Sequence, residues 1–168
     1  MKKKIFYCLT VLIPFLISCK KGSPVPGNVS SKTVSFNIDG NSKTFNTNVS
    51  AMNTNTQNVY ELKIVAYKQQ GLSTRMEITI TSISPITQGT YNNNPAAGIQ
   101  IELVYYVDDI IIVTPHYCNG TQNSGSIIVN EINGAYVKGT FFGTLNYNTY
   151  MGSYGTNNLS NGVFNVSF

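Results

Sequence analysis

Charged side chains are scarce in this chain: Asp, Glu, Lys and Arg together make up 11% of it, against about a quarter of an ordinary globular domain. Five of the basic residues (Lys2, Lys3, Lys4, Lys20 and Lys21) stand near the start. From Lys32 onward, Lys32, Lys43, Lys63, Lys68, Arg75 and Lys138 face seven acidic residues, a net charge of −1. That leaves no basic stripe to follow a phosphate backbone, so nucleic acid is excluded as a partner. Tryptophan is absent and there is one histidine, His116. No Gly-x-Ser-x-Gly, His-Glu-x-x-His, Cys-x-x-Cys or glycine-rich phosphate loop occurs, which removes the usual hydrolase, zinc and nucleotide signatures. No cofactor is implied. Sustained 3.6-residue periodicity is also missing, and Ala, Leu and Glu are few beside Thr, Asn, Ile, Val and Tyr, which argues against helices. Long apolar runs are lacking too. The longest, residues 5–17, has 13 residues, and a membrane-spanning helix needs roughly 20.

That short run is nevertheless informative. It follows Lys2, Lys3 and Lys4 and ends in Leu16-Ile17-Ser18-Cys19, and the whole stretch resembles a bacterial lipoprotein signal. The resemblance implies cleavage before Cys19, with lipid (palmitate among the acyl groups) on its sulfur and on the new amino group. Two or three chains, at about 0.8 kcal/mol per buried CH₂, tether a protein durably. The expected organisation is a signal peptide over 1–18, a lipidated Cys and flexible linker over 19–31, and a β-sandwich domain over 32–168. The linker carries two prolines and two glycines without periodicity, as a spacer does. Of the three cysteines, Cys8 leaves with the signal and Cys19 carries lipid. Cys118 then has no partner, and the reading for it is a small buried hydrophobe in a domain without a disulfide.

The domain reads as a succession of strands. Val34-Ser35-Phe36-Asn37-Ile38 alternates, and Asp39-Gly40 offers the positive φ of a tight hairpin leading to Phe45. Residues 46–58, rich in Asn, Thr and Ser, read as a surface loop. Tyr60, Leu62, Ile64 and Ala66 share one face of a strand, and Met76, Ile78 and Ile80 share one face of the next. Gln69-Gln70-Gly71 turns between them, and Lys63, Arg75, Glu61 and Glu77 fall on the opposite faces, placed to pair across the ladder. Further strands are expected at 99–107 and 110–117, the latter at an edge or ending because Pro115 lacks an N–H. A hairpin follows, turning at residues 131–134. Its returning strand, Ala135 to Leu145, puts Ala135, Val137, Gly139, Phe141, Gly143 and Leu145 on one face, the glycines marking a bend or close backbone approach. Residues 146–160 read as a Tyr/Asn/Gly/Ser loop, and Val163–Phe168 as the last strand.

The fold class is therefore all-β: a single antiparallel β-sandwich or flattened barrel of about 8–9 strands. The order of Phe36 with Asp39-Gly40, Gly89-Thr90-Tyr91, Ser124-Gly125, Gly139-Thr140-Phe141 and Asn161-Gly162-Val163-Phe164 resembles a family of uncharacterised lipoproteins from Bacteroidota-type bacteria. This resemblance spans roughly residues 34–168 and implies fold and compartment; the family offers no catalytic residue to carry over. The implied address is the cell envelope, anchored in the outer membrane and facing the periplasm, since no acidic cluster follows Cys19 to direct it to the cell surface; exposure at the cell surface is the alternative.

Three functional readings follow. The leading one is a non-catalytic module with a binding or structural role, engaging a glycan or an envelope protein through Tyr147, Tyr150 and Tyr154, flat amphipathic rings among adaptable polar neighbours. The alternative is a metal-dependent or hydrolytic enzyme built on Asp108, Asp109 and His116, with Glu102 as a further carboxylate. The third is a small outer-membrane barrel, prompted by the alternating Phe164, Val166 and Phe168 at the end of the chain. Against it, a lipid anchor on a barrel is redundant, and Glu61, Lys63, Arg75 and Glu77 would have to face a lumen.

Overall fold

The computed structural model describes residues 32–71, 73–108, 113–119, 124–148 and 154–168. Among these there is no α-helix, only a single 3₁₀ turn at Pro95–Ala97. The strands are β1 (Thr33–Ile38), β2 (Asn41–Phe45), β3 (Thr47–Thr56), β4 (Val59–Tyr67), β5 (Arg75–Ser82), β6 (Gly89–Asn92), β7 (Ile99–Asp108), β8 (Val113–Asn119), β9 (Gly125–Ile132), β10 (Tyr136–Asn148) and β11 (Tyr154–Ser167). They form one antiparallel sheet in the order β2-β1-β11-β10-β8-β7-β5-β4-β3, with β9 on β10 and β6 on β9. The sheet is nearly closed into a flattened barrel. Its two ends, β2 and β3, are consecutive in the chain and separated only by Asn46, so closure is made by one run of chain that changes partner. The first half of this run is hydrogen-bonded to β1 and the second half to β4.

Alternation decides which side of each strand is buried. Val34, Phe36 and Ile38 of β1, Leu62, Ile64 and Ala66 of β4, and Met76, Ile78 and Ile80 of β5 all lie inside. Each of these side chains except Ala66 contributes about 1.5–3 kcal/mol once buried. Rings from around the sheet meet in a single interior. Phe36 stands edge-on to Phe45 at 5.3 Å and to Tyr105 at 5.6 Å, and Phe141 reaches it from β10 at 6.1 Å. The close approach expected near Phe141 is present: a Cβ on Gly139 would overlap the Phe164 ring and the Ile128 carbonyl oxygen. On the outside of β4 and β5, Glu77 lies between Lys63 at 3.0 Å and Arg75 at 2.6 Å. Arg75 also covers the ring of Tyr106, 3.6 Å from its centroid.

Two stretches differ from the sequence expectation. Residues 46–58 are not a loop: β3 runs through them and pairs with β4 from Thr47↔Tyr67 to Thr56↔Val59. Val49 is its one buried hydrophobe, so the strand is held by its ladder and by the Gln57–Asn58 turn (φ 52° and 64°) rather than by an apolar face. Nor are residues 146–148 and 154–160 loop; residues 149–153 lie outside the described residues. β10 continues to Asn148 and β11 begins at Tyr154, pairing Asn146↔Thr156, Tyr147↔Gly155 and Asn148↔Tyr154.

The long β10 has two partners on one side. Its upper end meets β8 at Asn146↔Tyr117 and Tyr147↔His116, and its lower part meets β9 from Gly143↔Gly125 to Val137↔Ile132. Pro115 thus sits just past the last residue of β8 that β10 pairs among the described residues, at an edge as its missing N–H requires. Cys118 fills the junction between β8 and β9. It is buried, its thiol donates to the Ser124 carbonyl at 2.9 Å, and burial pushes its pKa up. The residue is inert packing rather than a nucleophile.

Candidate functional site at the barrel mouth

One end of the barrel is built by the β1–β2 turn, the β10–β11 hairpin and the upper parts of β7 and β8. The Asp39-Gly40 turn that the sequence marks is tight, with φ of 48° and 80°. This conformation holds Asp39 against β11. Asp39 N–H donates to the Asn158 carbonyl at 2.9 Å, and Asn158 N–H donates back to Asp39 Oδ1 at 2.7 Å. Asp39 Oδ2 accepts from Asn157 Nδ2. The backbone N–H of Asn158 first, and the Asn157 amide second, hold the Asp39 carboxyl below its ordinary pKa.

Because the Asn157 amide nitrogen faces Asp39, its oxygen faces inward and lies 2.7 Å from His116 Nδ1. An amide oxygen only accepts, so Nδ1 carries the proton in this arrangement. The imidazole then stacks on Tyr147, with centroids 4.4 Å apart and planes 28° from parallel. On its other neighbouring strand it meets Tyr105 at 5.9 Å. Tyr147 in turn lies across Gly155, where a Cβ would collide with the phenol ring. The set Asp39–Asn157–His116–Tyr147–Gly155 is a clamp that orders one aromatic ring. It is not a proton relay, since the amide between the carboxylate and the imidazole has no exchangeable charge to pass on.

The rim of the same hairpin is different. Asn146, Tyr147, Tyr154, Gly155 and Thr156 line an open depression of about 420 Å³. Tyr154 is 84% exposed. The pairings put Asn146 with Thr156 and Asn148 with Tyr154 on the outward face, while Tyr147 and Gly155 share the inward one. The three tyrosines singled out from the sequence therefore do not act alike. Tyr147 is held inside the mouth, Tyr154 stands in solvent, and Tyr150 lies outside the described residues.

The carboxylates of the enzymatic alternative are not gathered around His116. Glu102 and His116 belong to opposite faces of the β7–β8 ladder, because Tyr105, three residues from Glu102, is the partner of His116. Asp109 lies outside the described residues, and Asp108 is described only by its backbone pairing with Val113. Among the described residues, no group of three His, Cys, Asp or Glu side chains is placed to hold a metal ion. Sequence reading did not find Asp39 and Asn157. The Asp-Gly pair announces a turn, and nothing in it announces that the carboxylate reaches across to the last strand. No family model, curated protein or solved structure matches the chain.

Proposed function

We propose that this protein is a lipid-anchored envelope protein whose barrel carries out no reaction and binds a partner at the β10–β11 end. Cys19, behind its basic and apolar signal, supplies the anchor, and the outer membrane facing the periplasm is the proposed address. One observation carries the binding reading: Tyr154, the most exposed aromatic of the mouth among the described residues, borders an open depression beside a ring that the clamp keeps fixed. Its position in the fold supports the same reading. The domain is entered at Thr33, which pairs with Asn165, and Tyr154 lies at the other end of that strand, roughly 35 Å away at about 3.3 Å per residue. A tether at Cys19 would therefore join the domain at the end remote from the depression.

Two measurements test the proposal. Full-length protein expressed in a lipoprotein-processing bacterium enters the detergent phase of a phase-separation assay, and Cys19→Ala moves it to the aqueous phase. Unchanged partitioning removes the anchor. Wild-type protein is then compared with Tyr154→Ala on immobilised envelope polysaccharides and envelope proteins. Binding lost in the variant, with folding unchanged, supports the mouth as the site, whereas a ligand retained in full by the variant removes it.

A further inference from the structure

From Gly139 to Phe168 the chain contains no charged residue, and this stretch makes up most of β10 and all of β11. The outward face of the hairpin follows suit. Phe142 and Tyr154 are exposed, and Thr144, Asn146, Thr156 and Asn158 between them are exposed as well. Two aromatic rings thus bound a strip of hydroxyls and amides that both donate and accept hydrogen bonds without carrying charge. Phe142 and Asn148, the partner of Tyr154, are six residues apart on β10, roughly 20 Å along the strand. The nearest carboxylate of the clamp is already used: both oxygens of Asp39 accept hydrogen bonds from β11.

From these features, and resting on the binding reading above, we infer that the ligand is an uncharged oligosaccharide lying along the outer face of β10 and β11. An anionic chain would find no cation on this strip, and a cationic one no available carboxylate. A sugar ring presents an apolar C–H face suited to an exposed phenol or phenyl ring. Around its edge, hydroxyls match the donor-and-acceptor character of Asn and Thr side chains. The length of the strip favours several linked sugars over one, and the depression of about 420 Å³ beside Tyr154 is within the usual size of a small-ligand site.

The test is calorimetric titration of the detergent-solubilised full chain with neutral hexasaccharides (cello-, malto-, laminari-, xylo- and manno-configured), with oligogalacturonate and heparin fragments as acidic probes and chitosan hexamer as a basic one. At least one neutral hexasaccharide binds, and its affinity changes less than about twofold between roughly 50 and 500 mM salt. Tyr154→Ala weakens it by about tenfold or more. Phe142→Ala weakens the hexasaccharide but leaves the matching disaccharide unchanged. Preference for an acidic or basic probe, or no binding by any neutral one, overturns the saccharide inference. Loss of a bound envelope protein in Tyr154→Ala, with no sugar bound, overturns it while leaving the mouth as the site. Neutral binding untouched by both variants overturns the site itself.

Discussion

Two carboxylates, Glu77 and Asp39, are both held in their charged form, by opposite means. Glu77 sits half-buried on the outside of β5. Burial pushes its pKa up, and hydrogen bonds from Arg75 and Lys63 more than reverse this, leaving it below the ordinary carboxylate range. Asp39, at the mouth, is lowered chiefly by uncharged donors, a backbone N–H and a side-chain amide, and less by the charge of His116. The first arrangement braces the wall of the barrel with ions of both signs. The second fixes a turn and a ring mainly through hydrogen bonds from uncharged groups. A charged brace is sensitive to ionic strength; an amide brace is much less so. The contrast separates a wall of the sheet braced by ions from the end proposed to bind a partner.

The largest effect is expected where neither device operates. Across β10 and β11 the sheet is held by close packing, so Gly139→Ala, which drives a methyl group into Phe164 and the Ile128 carbonyl, should lower unfolding free energy by about 3 kcal/mol. Urea denaturation measures this, and a loss below the error of the method would show that the strands can part without cost. Next in size is the ionic brace. Glu77→Gln should cost about 1 kcal/mol at low salt, and much of the difference from wild type should vanish near 1 M salt. Its pH dependence has a definite sign. A carboxyl lowered on folding contributes fully above its unfolded pKa of about 4.3 and loses that contribution as pH falls through the folded value. The stability gap between wild type and Glu77→Gln should therefore close on acidification below about pH 4, and no comparable closure should occur toward alkaline pH.

The smallest effect on global stability is expected at the mouth. Asp39→Asn keeps an acceptor but removes the charge and crowds two amide groups together. Overall unfolding should shift little, while the environment of the His116 ring and the exchange protection of the Asn158 amide should change. Nitrogen-detected NMR of His116 and hydrogen exchange follow these separately. If the variant unfolds the whole domain, the mouth is not an independent accessory to the barrel.

How much of this is legible in the sequence depends on where apolar residues fall. β4 and β5 are plain because Leu62, Ile64 and Ala66, and Met76, Ile78 and Ile80, alternate with polar residues over a full strand. β3 is hidden because an edge strand with one buried hydrophobe, Val49, has the composition of a loop, and its turn uses Gln57 and Asn58 where a glycine would have signalled a hairpin. The upper part of the β10–β11 hairpin is hidden for the same reason: Tyr, Asn and Thr keep pairing after the interior no longer needs apolar side chains. The clamp lies further from view. Asp39 and Asn157 are 118 residues apart in the chain, and only the pairing of β1 with β11 brings them into contact. The tyrosines stand out by composition, but whether a given one points inward or outward follows from register, which shifts at the irregularity between Phe141 and Gly143.

The place of β11 in the sheet has a bearing on how the protein is made. It follows β1 to β10 in the chain yet lies between β1 and β10, so β1 lacks its second hydrogen-bonded neighbour until residues 154–167 arrive. A chain threaded through a membrane from its amino end would present Val34, Phe36 and Phe45 long before their covering strand emerges. Docking of such distant partners is slow compared with hairpin formation, and an exposed apolar edge invites mispairing with other chains. The waiting interval, rather than the finished barrel, is then the stage most exposed to proteases and most dependent on a holding chaperone. Truncations that remove β11 should consequently yield degraded or aggregated material, not a smaller folded domain.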